Sequence, residues 1–192
     1  MKALVFNGAM ERKPQSTPVL LSTYLSNKLQ ELGIENNIFN LADAGIPLFD
    51  TVVTKIPLSV ELMNQQFLEA DVHFWLAPLY HGSIPGAMKN CLDWLELSSK
   101  APQPYLTDKN IGMICWADGI QAMQGINTMD AIAKALRAWP VPFSAPLVRS
   151  TLFDAKNPTE ITAANKEKLN LLVNLATSRK VELREIHAPV AG

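Results

Sequence analysis

The sequence predicts an α/β fold, a three-layer α/β/α sandwich built on a doubly wound, five-stranded parallel sheet. First, short apolar runs of strand length alternate along the chain with longer segments whose apolar residues recur at helical spacing. Second, the run at residues 71–77 is nearly continuously apolar, which is typical of a parallel strand buried on both faces. Third, one hydrophobic core can fill a chain of 192 residues that has no internal repeat. We therefore expect a single domain over residues 1–192.

The five predicted strands are short, and a helical segment follows each of them. The strands lie at residues 2–6, 35–40, 71–77, 111–116 and 143–148. The first helix begins with Thr17 as its cap and Pro18 in its first turn, and it ends before Gly33. The second helix covers residues 58–69. Each of the other three helices begins with a polar N-cap. These caps are Ser83 for the third helix, Asn127 for a helix to residue 137, and Asn157 for a last helix towards Leu183.

This alternation places the candidate site. Strands joined by right-handed helical crossovers form a parallel sheet, and such sheets bind ligands at the carboxyl ends of their strands. The loops after the first, third and fourth strands are therefore the candidates. The connection at residues 41–57 contains a glycine and two prolines, and we expect a long surface loop there.

Composition and charge exclude several classes of protein. The chain is 48% hydrophobic and 18% charged with a formal net charge of −1, so we expect neither disorder nor binding to nucleic acid or to a membrane. The first apolar run is too short for a signal peptide, and no stretch reaches about 20 apolar residues, so we expect a cytoplasmic protein. Cys91 and Cys115 stand apart from each other and from histidines, which favours buried thiols over a disulfide or a metal site.

The loop after the first predicted strand, residues 7–18, is a candidate anion site. The free N–H groups of the following helix point back towards it. The hydroxyls of Ser16 and Thr17 and the guanidinium of Arg12 suit a phosphate monoester, although a capped helix after a solvated basic loop would show the same residues. The loop contains neither GxGxxG nor GxxxxGK[ST], which disfavours a dinucleotide-binding domain or a P-loop enzyme. A protein of the doubly wound class that binds a mononucleotide remains consistent with this loop.

The loop after the third predicted strand carries the most specific motif. Residues 78–94 read PLYHGSIPGAMKNCLDW. This segment resembles the signature PxYxGSxPGxLKNxxDW of the NAD(P)H-dependent FMN reductase family, which includes flavin, quinone, azo-dye and chromate reductases. With Gly8, Ala9 and Ser16 after the first strand, the similarity spans roughly the first 150 residues. The resemblance implies a flavodoxin-like FMN-binding domain.

The resemblance also implies which residues bind FMN. The first loop would hold the phosphate, the second would border the isoalloxazine ring, and the third would lie at the flavin edge. The implied residues are Ala9, Arg12, Ser16, Thr17 and Pro18, then Pro78, Leu79, Tyr80, His81 and Gly82, then Asp118 and Gly119. Asp118 and Gly119 are equally consistent with an ordinary turn. Ala9 and Pro18 replace polar residues of the family motif, Leu79 stands where Glu is frequent, and His81 stands where Asn is frequent.

Two histidines and one apolar cluster remain to be interpreted. We interpret His81 as a packing residue of the loop, since hydride transfer between nicotinamide and flavin needs no protein base, and we expect no catalytic side chain. We interpret His73 as a core histidine of its strand. Trp94, Leu95 and Leu97 belong either to the core or to a surface for self-association. The resemblance implies a homodimer or a homotetramer.

The function implied is that of an FMN-dependent oxidoreductase. It would take hydride from NADPH or NADH and reduce a flavin, quinone or similar small-molecule acceptor. One alternative is a flavodoxin-like electron carrier or flavin-binding sensor without turnover, which the nearly neutral charge disfavours because such carriers present acidic docking surfaces. Another is a family member that has lost flavin, for which Ala9 and Pro18 are the support.

Overall fold

The computed structural model describes residues 1–178, in which five strands alternate with helices. The strands are β1 (Lys2–Asn7), β2 (Glu35–Asn40), β3 (Val72–Pro78), β4 (Asn110–Ala117) and β5 (Trp139–Val148). The α-helices are α1 (Thr17–Glu31), α2 (Leu58–Glu69), α3 (Gly86–Asp93), α4 (Ala122–Ala135), the short α5 (Arg149–Leu152) and α6 (Ala163–Thr177). Two 3-10 helices lie at Leu41–Asp43 and Trp94–Ser98.

The strands form one parallel sheet in the order β2-β1-β3-β4-β5. The order reverses between β1 and β3, which is the position where doubly wound sheets open a crevice for a ligand. Asn7 pairs with Leu76, and Pro78 pairs with Trp116, so the carboxyl ends of β1, β3 and β4 lie along one edge. The predicted fold class is confirmed.

Each face of the sheet has its own hydrophobic core, because successive side chains of a strand point to opposite faces. In β3, Trp75 packs in the core beneath α2, α3 and α4, whereas Phe74 packs in the core beneath α1 and α6. Trp94 and Leu95 are buried in the first of these cores, while Leu97 is 43% exposed. The three layers of the sandwich follow from these two cores.

The buried titratable groups are held neutral. His73 is completely buried, and its Nε2 lies 3.0 Å from the Phe67 carbonyl oxygen. Desolvation, with a smaller contribution from Lys109, lowers the pKa of His73 to about 3, which confirms a neutral core histidine at pH 7. Cys91 and Cys115 are buried and unbridged, and burial raises the pKa of each thiol to about 12. Within residues 1–178 no cluster of His, Cys, Asp or Glu is arranged to hold a metal ion, and no helix is long and apolar enough to span a membrane.

Three predicted helix starts were wrong. Helix α3 begins after Pro85, while Ser83 pairs with Tyr80 in the preceding turn. Helix α4 begins at Ala122, so Asn127 lies inside it. Helix α6 begins after Thr162, whose extended backbone is that of an N-cap residue. In each case the true start has no side-chain cap, so the capping rule selected a neighbouring polar residue.

The remaining boundary differences are smaller. Ser16 rather than Thr17 is the N-cap residue of α1. The last strand begins at Trp139, four residues before its predicted start, and its pairing with β4 is irregular between Ile111 and Met113. Prolines 140 and 142 fall in this added part, where an edge strand tolerates them because one side of it donates no ladder bonds. The predicted end of the last helix near Leu183 lies outside the described residues.

Gly125 is required for the close contact between α4 and β4. A Cβ built at this position would lie 2.4 Å from the Sγ of Cys115, far inside van der Waals contact. Cys115 is buried in the sheet and has little room to move away. A side chain at residue 125 would therefore push the helix off the sheet.

We predict that Gly125→Ala lowers the free energy of unfolding by about 1–3 kcal/mol, measured by urea denaturation, because overpacking outweighs the gain in helix propensity. The control is Gly86→Ala, where no heavy atom lies within 4 Å of the added Cβ and stability should not fall. Adding Cys115→Ala to Gly125→Ala should recover part of the loss. Equal effects at Gly86 and Gly125 would contradict this account of the helix packing.

Candidate functional site

The loops after β1, β3 and β4 are in contact with one another at the carboxyl edge of the sheet. The Gly8 N–H donates to the Leu76 carbonyl oxygen over 2.9 Å, which joins the first loop to β3. The Leu79 N–H donates to the Trp116 carbonyl oxygen over 2.8 Å, which joins the second loop to β4. These main-chain bonds bring together the three segments that the sequence predicted as the site.

The first turn of α1 contains a buried hydroxyl without a partner. Ser16 is buried at the N-cap position, and its Oγ forms no hydrogen bond with any of residues 1–178. The Leu20 N–H already donates to the Ser16 carbonyl oxygen over 3.0 Å, and Pro18 has no N–H. The N–H groups of Thr17 and Val19 therefore remain as donors without an intrahelical partner. A buried polar atom without a partner costs about 1–3 kcal/mol, and an anionic oxygen at this helix end would supply the missing bond.

Asn7, which the sequence analysis did not select, sets the direction of the first loop. It is buried at the end of β1, its Oδ1 accepts a hydrogen bond from the Ala9 N–H over 3.1 Å, and its Nδ2 donates to the Asn40 Oδ1 over 3.0 Å. This local bond forms an Asx turn, for which the Asn7-Gly8 pair was the available signal. A Cβ at Gly8 would overlap the side chain of Met88 and lie 3.1 Å from the Leu76 carbonyl oxygen, so the buried Met88 side chain would have to move.

Arg12 lies in the first loop but is not free. Its Nε donates to the Asp43 Oδ1 over 3.0 Å, and its Nη2 donates to the Ala42 carbonyl oxygen. Both charged side chains are about two-thirds exposed, at 65% for Arg12 and 64% for Asp43. The sequence analysis missed Asp43, because nothing in the local sequence connects residues that are 31 positions apart.

The second loop is a tight two-residue turn. Tyr80 and Ser83 exchange main-chain hydrogen bonds of 2.8 and 3.0 Å, and between them His81 and Gly82 have φ values of 49° and 84°. Two successive positive φ values are the pattern of a type I′ turn, which glycine adopts freely and which asparagine and histidine adopt more readily than most residues. Tyr80 is 54% exposed, so its ring is available for contact with a ligand.

Packing against α4 holds this turn in place. Ideal Cβ positions at Gly82 and Gly125 lie 3.3 Å from the Gln124 Oε1 and from the Leu79 Cδ1, respectively. The second loop therefore rests on the first turn of α4. Pro78, the last residue of β3, is buried at the base of the turn.

The third loop holds the two remaining predicted residues, Asp118 and Gly119. Asp118 is exposed, and its Oδ1 lies 3.3 Å from the Nε of Arg149, which begins α5 beyond the end of β5. Its contact is therefore with the neighbouring strand end and not with another predicted site residue. Gly119 is partly buried, and the adjacent Ile120 is 89% exposed.

The arrangement has two chemically distinct parts. The start of α1 provides hydroxyl and N–H donors to an anion, and the helix dipole favours negative charge there. The turn after β3 provides main-chain groups and an exposed aromatic ring. The first part can bind an anion, and the second offers main-chain and aromatic surface to a ligand.

Comparison with known proteins identifies the family of this chain. A model of the family described as NADPH-dependent FMN reductase matches residues 1–150. The NADPH-dependent FMN reductase ArsH of Acidithiobacillus ferrooxidans is 28% identical over 134 residues, which are 69% of this chain and 54% of that protein. This chain therefore spans about half the length of that relative. An FMN-dependent NADPH-azoreductase of Staphylococcus aureus is 26% identical over 147 residues, 74% of each protein.

A solved structure shows the same fold. FerB, a flavoenzyme NAD(P)H:(acceptor) oxidoreductase from Paracoccus denitrificans, superposes with a TM-score of 0.71 at 16% identity, covering 94% of this chain and 98% of that one. At this identity the likeness supports the fold alone. Because the family model covers residues 1–150 of 192, the chain belongs to the NADPH-dependent FMN reductase family.

Proposed function

We propose that this chain is an FMN-dependent oxidoreductase that takes hydride from NADPH or NADH and reduces a flavin, a quinone or a similar small acceptor. The observation that carries the proposal is the buried, unpartnered hydroxyl of Ser16 at the start of α1, in a chain of this family. Bound FMN would supply the redox chemistry, and the protein would bind it, orient it and control access to it.

The phosphate would lie at the first turn of α1. Ser16 Oγ and the N–H groups of Thr17 and Val19 are its donors, and Arg12 adds a positive charge. Pro18 occupies a position where its missing N–H costs no intrahelical bond. Ala9 lacks the hydroxyl of the family motif, so the phosphate would depend on Ser16 and the main-chain donors.

The ring would lie against the turn after β3. Leu79 and Tyr80 offer apolar and aromatic surface, while the main chain of His81 and Gly82 can approach the ring closely. Pro78 fixes the start of this turn, and Asp118 and Gly119 would border the flavin edge from the third loop. No side chain of the site is needed as a proton donor for the hydride step.

The wider assignment is also a proposal. We propose that residues 1–192 form one domain that works in the cytoplasm on small-molecule acceptors, as a homodimer or homotetramer. Exposed apolar side chains such as Leu48 and Leu97 on the side of α2 and α3 support self-association. A carrier or sensor without turnover is not favoured, because the matching family is one of reductases.

The cofactor is identified by the chromophore that the purified protein releases on denaturation. We expect FMN by mass, because the site offers one phosphate position and no dinucleotide fingerprint. Recovery of FAD, or failure to retain any flavin after reconstitution, would contradict the proposal.

We predict that Ser16→Ala weakens FMN binding about tenfold or more and leaves riboflavin binding unchanged, because a charge-assisted bond to the phosphate is worth about 1.5–3 kcal/mol. Fluorescence titration of each flavin measures this difference. The stability of the flavin-free protein should not fall, since the hydroxyl has no partner there. The control is Ser22→Ala, whose buried Oγ donates to the Pro18 carbonyl oxygen over 2.7 Å and which should lower stability without discriminating between the flavins. Equal losses for FMN and riboflavin in Ser16→Ala would place the phosphate elsewhere.

We predict that His81→Asn retains most of the rate of flavin reduction, because asparagine accepts the positive φ of this turn and the site needs no base. Stopped-flow reduction by NADPH from about pH 6 to 9 tests this, since removal of an acid-base residue typically costs about 10²–10⁴-fold. A loss of that size with FMN still bound would make His81 catalytic. Tyr80→Ala is the matched variant in the same turn, and it should lower FMN affinity through lost ring contact.

A further inference from the structure

The end of β2 and the segment after it hold the first loop at two points. Asn7 and Asn40 are paired in the β1–β2 register, and their side chains are joined by the 3.0 Å hydrogen bond described above. Further along, Arg12 bonds to Ala42 and Asp43 in the 3-10 helix that leaves β2. The base of the loop and Arg12 are therefore both held by the neighbouring strand end.

The contacts of Arg12 leave one part of its guanidinium free. Nε and Nη2 lie on the same edge of the planar group, and this edge is occupied by Asp43 and by the Ala42 carbonyl. Nη1 has no hydrogen bond to any residue in 1–178. Because the guanidinium is a rigid plane, fixing one edge also fixes the direction of the remaining N–H donors.

We propose that Asp43 is a positioning residue for the cofactor phosphate and acts through Arg12. The role rests on the proposed function, since it requires that a phosphate bind at the start of α1. A free arginine side chain loses much rotamer freedom when it binds an anion, whereas Arg12 has already lost it to Asp43 and Ala42. Asp43 thus prepares the Nη1 donors for the phosphate.

The charge of Asp43 acts in the opposite direction, because a carboxylate repels a phosphate. Removing the side chain altogether would mix this repulsion with the loss of positioning. Asparagine and alanine both remove the charge, but asparagine keeps a carbonyl oxygen that can accept the bond from Arg12 Nε. The comparison of Asp43→Asn with Asp43→Ala therefore isolates positioning at constant charge.

The experiment is a double-mutant cycle read by FMN and riboflavin affinity. Asp43→Ala should bind FMN about two- to five-fold more weakly than Asp43→Asn, the range expected for an exposed pair. The two variants should bind riboflavin equally, which a merely structural defect would not allow. In the background of Arg12→Ala the difference between them should disappear.

The control is Asp50→Ala, an exposed carboxylate in the same connection whose Oδ1 accepts the Val52 N–H over 2.9 Å, and it should change neither affinity. Three results would overturn the role of Asp43. The first is equal FMN affinity of Asp43→Asn and Asp43→Ala, and the second is a loss of riboflavin affinity in Asp43→Ala as large as its loss of FMN affinity. The third is a difference in FMN affinity that persists in the background of Arg12→Ala. If the wild-type protein binds FMN in that experiment, the proposed function stands. If the wild-type protein binds no FMN, the proposed function fails and the role of Asp43 fails with it.

Discussion

Parallel pairing of β1 with β3 is the constraint on which the candidate site depends. These strands are not consecutive in the chain, and the helices that follow them, α1 and α3, cover opposite faces of the sheet. The loops leaving β1 and β3 therefore diverge and leave a crevice between them. The ladder extends one residue beyond β1 through the bond from Gly8 to Leu76, and Met88 of α3 lies where a side chain at Gly8 would have to be. Strand order thus positions the candidate crevice, and Gly8 leaves room beside it for Met88.

The site that results is made largely of main chain. We propose that the phosphate lies at the start of α1, where the donors are a helix terminus and one hydroxyl, and that the ring lies at the turn from Tyr80 to Ser83, which supplies main-chain groups. This explains why the chain can depart from its family at Ala9 and Pro18 and still retain the donors of the helix terminus. Asn7 and Asn40 hold the main chain of the first loop in position, whereas Asp43 bonds to the side chain of Arg12.

The sequence was sufficient to predict the strands and the positions of the three loops, because periodicity and the motif after β3 are local signals. Helix starts were harder to predict. Asn157 to Glu160 resembles a capping box, but the Asp154 carboxylate accepts the N–H groups of Lys156 and Asn157, and a turn forms in place of a helix. The bonds from Asn7 to Asn40 and from Arg12 to Asp43 join residues more than 30 positions apart, so only the paired strands reveal them. The Asn7-Gly8 pair was a local signal for the Asx turn, whereas its partner Asn40 and the Arg12 partner Asp43 had no local signal.

The central claim is that the phosphate of FMN is bound as a dianion by the donors at the first turn of α1. Phosphorus NMR of the flavin complex between about pH 5 and 8 tests it directly, because a free phosphate monoester changes from monoanion to dianion near pH 6. If the N–H donors, Ser16 and Arg12 bind the dianion, the bound resonance will be displaced from that of free FMN and will stay constant over this range. A resonance that titrates near pH 6 as in free FMN would show a phosphate in solvent and would contradict the account.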